Sequence, residues 1–396
     1  MGASFFVIFW CIISLERILF IMSKLRQPYV QTRRDAWVEV NLGNIEHNFL
    51  TLKKYCKPET SIVAIIKADA YGHGATMIAP PLIASGVSAF GVASVDEGIE
   101  LRNSGCEIPI LVLGAAPSWA FTSALQNNLE LSVFTEEHIK SVIQAYSHFG
   151  KPLKVHVKVD TGMNRIGLSY LDAPEFINKI LKYKEIELKG IFSHLACAED
   201  KDITAMQAKR FEFVQKQFPQ IPAHLLNTAG IMSYPDLQFN TVRAGIGIYG
   251  LMPDLPEGVN APKLLPAMSL KGRIVHLKTI DENEGISYSY SYKTSRKTKI
   301  ATIPIGYADG VPRILSNKIF AIINGKKVPQ VGNITMDQMM FDVTDAGNVN
   351  IGDVITLIGE DEEQSISIDE WAKLLGTINY ELTCRLKVRL PRVYTR

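Results

Sequence analysis

Cysteine is scarce. The 396 residues hold five, Cys11, Cys56, Cys106, Cys197 and Cys384, odd in number, widely spaced and without a C-x-x-C pair. That spacing gives no support to a zinc ribbon, a dithiol redox motif or a disulfide framework, and reads as free thiols in a reducing compartment. An excess of either charge is also missing. Lys and Arg number 42 against 40 Asp and Glu, a net charge of +2, which argues against a nucleic-acid binder held by a broad basic surface. Ordinary Gly and Pro counts, 28 and 19, exclude collagen-like and low-complexity chains, and 47% hydrophobic with 21% charged residues excludes a mostly disordered one.

Long apolar runs are lacking as well, with one partial exception. Ser4 to Ile21 is very apolar, but Glu16 and Arg17 interrupt it before the ~20 residues that a membrane span needs. No Lys or Arg precedes it and no small-x-small cleavage site follows, a poor fit to a secretory signal. An anchor helix, a surface-lying amphipathic segment and sequence upstream of a start at Met22 all stay open, the last being preferred. Residues 1–22 therefore stand as an extension. The expected location is cytoplasmic, with tethering to a membrane through residues 4–21 as the alternative.

What is present is rhythm. Short apolar runs at Ser61–Ile66, Ala89–Ala93, Pro109–Leu113, Leu129–Phe134, Leu153–Val159, Leu188–Ser193, Pro222–Leu226 and Phe239–Val242 alternate with helical patterns. Thr135 is placed to cap a helix with Ile139, Val142, Ile143 and Tyr146 on one face. Asp202 is placed to cap another through Met206, Phe213 and Val214, and Ile45, Phe49 and Leu52 mark one ahead of the first strand. Pro80-Pro81 should make the first crossover helix start late or kink. Eight such units in about 200 residues predict an α/β fold, a (β/α)8 TIM-like barrel over 36–261. From 262 to 396 the text is strand-rich, at Lys299–Ile305, Ile319–Ile323, Met339–Val343 and Val354–Leu357, with one short helix at Ile368–Leu375, and predicts a second, mainly β C-terminal domain.

In such barrels chemistry sits at the C-terminal strand ends. Here those ends carry Lys67 and Asp69, then Lys158, Asp160 and Arg165, then His194, Asn227 and Arg243. Polar groups at five of the strand ends suggest one convergent pocket. Gly245-Ile-Gly247-Ile-Tyr-Gly250 follows the eighth strand, where barrels commonly bind phosphate. By itself that glycine pattern is weak, and no strand-helix nucleotide unit surrounds it, which argues against NAD.

IIKADAYGHG (65–74) resembles the cofactor-lysine motif of the alanine racemase family, pyridoxal-phosphate enzymes with a barrel and a β domain. KVDTGMNRIG (158–167), FSHLACAED (192–200), HLLNTAG (224–230), VRAGIGIYGL (242–251), ISYSYSY (286–292), IPIGYADG (303–310), NITMDQ (333–338) and INYE (378–381) resemble the family in family order. The likeness runs from about Ala36 to Arg392.

The resemblance implies interconversion of L- and D-alanine, supplying D-alanine for peptidoglycan, with pyridoxal 5'-phosphate as cofactor and a homodimer with shared sites. Lys67 resembles the lysine that holds the cofactor and then acts as one base. Tyr288 matches the second base, which in the family reaches into the partner's site; a phenol needs cationic neighbours to work near neutral pH. Arg243 matches the arginine at the pyridine nitrogen, with His194 in the same polar chain. Arg165 matches the group near the cofactor oxygen and the substrate carboxylate, and Lys158 a lysine that is carbamylated. Tyr71, Asn227, Thr228, Gly245, Ile246 and Tyr380 fall on cofactor-contacting positions, and Met336 on a substrate-contacting one. Tyr307, Arg313 and Asp200 resemble residues at the mouth of the site. No metal and no nucleic acid are implied. Thr228 stands where many members have Ser, and Thr335 where Cys is common.

Taken singly, Lys67 also fits a salt-bridge lysine, His194 a satisfied core histidine, and Tyr288, Tyr290 and Tyr292 an ordinary strand face. Rival functions are a racemase for serine or another side chain, a decarboxylase on the same barrel, a non-catalytic cofactor carrier and a membrane-tethered racemase. A decarboxylase would need an acidic cluster for a basic side chain, and none is evident. The carriers resembling this barrel lack the β domain.

Overall fold

The computed structural model describes residues 34–396, so the apolar segment at residues 4–21 lies outside the described residues. Among the described residues no helix is long and apolar enough to cross a membrane. Chain order begins with strand β1 (Ala36–Asn41) and helix α1 (Leu42–Lys53), on which Ile45, Phe49 and Leu52 are buried as their spacing requires.

Eight strands then follow: β2 (Ser61–Ile65), β3 (Ala89–Val92), β4 (Ile110–Val112), β5 (Glu130–Val133), β6 (Leu153–Asp160), β7 (Ile186–Phe192), β8 (Ala223–His224) and β9 (Thr241–Ala244). All pair in parallel, β2 with β9 and β5 with β6 among them, so the sheet closes into the expected eight-stranded barrel. Closure explains the continuous apolar runs, since each strand is covered outside by helices and inside by the barrel's own filling.

Three helices between them differ from expectation. The first crossover helix, α2 (Ala75–Ala84), starts ahead of Pro80 and Pro81 and runs through them, its first turn being secured by Met77 and Ile78 amides on the Gly74 carbonyl. α3 (Glu136–Phe149) is capped by Thr135 as its sequence requires, but Ile143 faces outward. α4 (Lys201–Gln215) is capped by Asp200, not Asp202, because extended Asp200 puts Oδ1 within 2.9 Å of both the Asp202 and Ile203 amides. Its buried face runs through Thr204, Gln207, Ala208, Phe211 and Val214, leaving Met206 and Phe213 outside.

The second domain is built on a ten-stranded sheet. Its strands include β10 (Met268–Arg273), β11 (Thr298–Ile303), β12 (Phe320–Ile323), β13 (Lys326–Val331), β14 (Met339–Asp342) and β15 (Val354–Asp361), and helices α5 (Ile368–Leu375) and α6 (Asn379–Arg385) precede the last strand, β16 (Arg392–Thr395). β1 belongs here too, antiparallel to β10 and parallel to β16, although it falls inside the range expected for the barrel. Its pattern gives the reason: Ala36, Val38 and Val40 are buried while Trp37, Glu39 and Asn41 are not, the alternation of a strand covered on one face. α6 escaped the sequence reading and is the element that brings Tyr380 to the barrel mouth.

Candidate active site

The barrel's C-terminal end opens into a cavity of about 650 Å³. Lys67, Tyr71, Lys158, Arg165, His194, Asn227, Thr228, Arg243, Gly245, Ile246 and Tyr380 all line it. All but Tyr380, which α6 supplies, come from the barrel and meet because parallel strands deliver their ends to one rim. Tyr288 and Met336 do not line it; they are 73% and 53% exposed on the β domain. Tyr288 begins a 3-10 turn, Tyr288–Tyr290, rather than lying on a strand face. Another cavity, of about 540 Å³, lies between β1, β10, β15 and the start of α5, and Lys67 does not line it.

Lys67 is presented by unusual backbone. Ala68, Asp69, Ala70 and Tyr71 all have φ between 51° and 55° with ψ between 38° and 50°, a left-handed turn made of non-glycine residues. Each such residue costs roughly 1–2 kcal/mol. Surrounding groups hold the turn in place. The Ala68 amide donates to Glu97 Oε1 at 2.8 Å, the Ala75 amide to Asp69 Oδ1 at 2.7 Å, and Arg392 Nε to the Gly72 carbonyl at 3.1 Å. His73 is fully buried, with Nδ1 3.0 and 3.1 Å from the Ala70 and Tyr71 carbonyls, so Nδ1 carries the proton. Tyr249 Oη anchors the end of β2 through the Ile65 carbonyl at 2.8 Å. Gly72 has φ +81°, and a side chain there would strike the Thr383 carbonyl of α6. Strain held this firmly next to a lysine is a mark of a functional site.

Arg243, 3% exposed, lies in the floor. Nη1 donates to His224 Nδ1 at 2.7 Å and to the His224 carbonyl at 3.2 Å. Nη2 donates to the Ser193 and Leu225 carbonyls at 2.6 and 2.8 Å and lies 3.1 Å from His194 Nδ1. These bonds occupy the Nη hydrogens and leave Nε–H as the donor available to the cavity. An arginine only donates, so His194 accepts through Nδ1 and bears its proton on Nε2. Burial, then the charges of Arg243, Lys158, Arg165 and Lys67, hold His194 well below the usual histidine range. Burial lowers Arg243 to about 9, still cationic at neutral pH. Lys158 Nζ and the Arg243 guanidinium both lie over the Phe192 ring, 5.4 and 5.6 Å from its centre.

Two lysines lie below the ordinary lysine range. Burial, with help from Arg165, lowers Lys67. Burial brings Lys158 down to about 7, with Arg243 adding to the effect, and its Nζ is 2.9 Å from the Val159 carbonyl. On the opposite wall Thr228 Oγ1 accepts the Gly245 amide at 2.8 Å, which leaves its hydroxyl hydrogen free. A Cβ on Gly245 would sit 3.3 Å from Tyr71 Oη, so the glycine keeps a cradle open between hydroxyls. Burial raises Tyr71, and raises Tyr380 to about 12, so both phenols are donors at neutral pH. Asn227 stands behind this wall as the cap of Thr228–Ser233, accepting the Gly230 amide at 3.0 Å.

Glu97, Glu130, His156, His224 and Leu113 were not singled out from the sequence, nor was Cys384, which lines the cavity. The histidine at 156 had a signal: it stands two residues before Lys158 on one strand and so shares its inward face. Glu97 and Glu130 had none, being one glutamate in a helix and one in a short apolar strand.

This geometry accords with the comparisons. A family profile described as "Alanine racemase, N-terminal domain" matches residues 40–253, and one described as "Alanine racemase, C-terminal domain" matches 267–394. The chain is 42% identical over 371 residues to alanine racemase 2 of Oceanobacillus iheyensis, covering 92% of this chain and 94% of that protein. It is similar to the solved alanine racemase of Clostridium difficile 630, with a TM-score of 0.88, 38% identity, and coverage of 92% and 97% of the two chains. A histidine racemase from Leuconostoc mesenteroides is also similar, with a TM-score of 0.85, 30% identity, and coverage of 93% and 100%. With both halves matched in order over nearly the whole described chain, the protein belongs to the alanine racemase family.

Proposed function

We propose that the 650 Å³ cavity holds pyridoxal 5'-phosphate and that Lys67 and a Tyr288 from a second copy exchange the α-proton of alanine across its two faces. The observation that carries this reading is the convergence of a desolvated lysine, a donor-only arginine and a hydroxyl cradle on one cavity. The donor set fits the cofactor. Lys67 Nζ would hold it covalently, Arg243 Nε–H would meet the ring nitrogen, and Tyr71, Thr228, Ile246 and Tyr380 would meet the phosphate, with Gly245 leaving the room. When bound, pyridoxal phosphate supplies the electron sink that makes an amino-acid α-proton removable.

The chain's own residues do the rest. Lys67, lowered by burial and by Arg165, has an amine that releases a proton at Nζ more readily than an ordinary lysine and can take one back. One base tends to return a proton to the face it left, so inversion calls for an acid on the other face. Tyr288 Oη is the matching group, and its exposure away from the cavity is why the reading requires a homodimer with shared sites. Arg165 and the Met336 amide would hold the substrate carboxylate. Lys158, partly unprotonated near neutral pH, can add carbon dioxide at Nζ, forming an N–C bond and releasing a proton; the carbamate would pair with Arg165. A cytoplasmic role in supplying D-alanine for peptidoglycan follows from the same reading.

The test is incubation of purified protein and cofactor with L-alanine, followed by chiral analysis. D-alanine should appear and approach equal amounts of both isomers. Bound cofactor without racemisation of alanine would overturn the proposal, and faster turnover of serine or histidine would reassign the substrate.

A further inference from the structure

Behind Arg243 a second set of polar side chains crosses the barrel interior. His224 Nε2 lies 3.1 Å from His156 Nδ1, and His156 Nε2 lies 2.9 Å from Glu130 Oε2. With Arg243 Nη1 at 2.7 Å from His224 Nδ1, four residues from β5, β6, β8 and β9 form one unbroken chain. Glu130 is 6% exposed, and His224 is buried too. None of the three residues beyond Arg243 lines the cavity.

The protons in this chain have a single arrangement when both imidazoles are neutral. Arg243 only donates, so His224 Nδ1 accepts and its proton is on Nε2. That proton needs an acceptor, which makes His156 Nδ1 bare and puts its proton on Nε2. That proton in turn needs an acceptor, and Glu130 is the acceptor at the end. Burial, together with the charge of Arg243, holds His224 well below the usual histidine range and so uncharged. Burial works against ionisation of Glu130, but the hydrogen bond from His156 and the charges of Lys154 and Lys189 hold its carboxyl below the usual glutamate range.

The barrel makes room for the chain. Gly190 on β7 faces the His156 ring, and a Cβ there would sit 2.6 Å from His156 Nδ1. The β6–β7 register shifts between Val155 and His156, beside the same ring. The Phe192 ring stacks flat on His224, 4.8 Å between centres and 2° between planes. A histidine that only filled space would need neither the glycine nor the acidic end.

We infer that Glu130, His156 and His224 are positioning residues that lock the guanidinium of Arg243 so that Nε–H is the donor it offers to the cavity. The inference rests on the cofactor reading given above. Glu130 acts as the terminal acceptor: it selects the tautomer of His156, which selects that of His224, which fixes Nη1.

The experiment uses the holoenzyme reconstituted with cofactor labelled at the pyridine nitrogen with nitrogen-15. Glu130→Ala removes the terminal acceptor. It should shift the pyridine resonance, weaken cofactor binding about tenfold and lower kcat about tenfold, with KM for alanine within about twofold. Glu130→Gln keeps an acceptor oxygen and should restore the resonance and most of kcat. Gly190→Ala, which displaces His156 without touching the cavity, should act like Glu130→Ala and keeps the test open if that variant fails to fold. An unmoved resonance in a folded Glu130→Ala or Gly190→Ala protein would overturn the inference, as would a Gln variant as impaired as the Ala variant. Wild-type protein that takes up no cofactor would instead overturn the functional reading of the cavity.

Discussion

The two segments that carry Lys67 and Tyr288 share one property and differ in another. Both use left-handed backbone, Ala68–Tyr71 in the barrel and Ser287, Ser289 and Tyr290 in the β domain. The barrel segment is gripped from all sides by Glu97, His73, Arg392 and α6. The β-domain segment is tied on one side, by Asn333 Nδ2 on the Tyr288 carbonyl at 2.7 Å and Ser287 Oγ on the Asn333 carbonyl at 2.8 Å, and its tyrosine stands in the open. The barrel half of the site is therefore built within one chain. The other group projects from the β domain, largely exposed.

Removing the built half should cost the most. Lys67→Ala should lower racemisation by roughly 10³-fold or more and abolish the visible absorption of bound cofactor. Persistence of that band would show that another amine holds the cofactor. Tyr288→Phe should cost about 10²–10³-fold, with removal of the L-alanine proton hit hardest, and without loss of the band. Because the overall equilibrium is fixed near unity, isotope exchange from each isomer is the measurement; equal losses in both directions would argue against opposite-face bases.

Acid should loosen the gripped segment selectively. His73 is lowered to about 4 by burial, against 6.5 when unfolded. Between those values the unfolded chain binds the extra proton, so the stability from neutral His73 is complete above pH 6.5 and is lost progressively down to pH 4. The span corresponds to about 3 kcal/mol. Urea titrations at pH 7 and pH 4.5 should show a smaller acid loss for His73→Gln than for the wild type. The smallest effect tests the sharing of sites. Equimolar Lys67→Ala and Tyr288→Phe, refolded together, should recover about a quarter of wild-type activity, because half the dimers are mixed and each carries one intact site. No recovery would place both groups in one chain's site.

The barrel was legible because its signals are local and repeated: eight apolar runs, each followed by a helix, leave few alternatives. The pocket residues were legible for a related reason. Lys67, Lys158, His194, Asn227 and Arg243 stand at strand ends, and closure of the sheet carries strand ends to one rim. The misses have a different origin. Asp202 competed with Asp200 for one helix start, and backbone extension at Asp200 decided between them. β1 carries a strand signal, but nothing local says that its partners lie more than 200 residues away. The left-handed turn after Lys67 contradicts the local preference of Ala, Asp and Tyr, and exists because distant side chains hold it.

The sequence by itself determined the class of fold, the order of the domains and which ionisable residues stand at the barrel rim, because periodicity and strand-end position act over a few residues. Tertiary structure alone decided which donors Arg243 keeps free, which proton each histidine bears, and that Lys67 is desolvated while Tyr288 is not. Those properties depend on burial and on partners such as Glu130 and Gly190, brought within hydrogen-bonding or van der Waals reach only when the barrel closes.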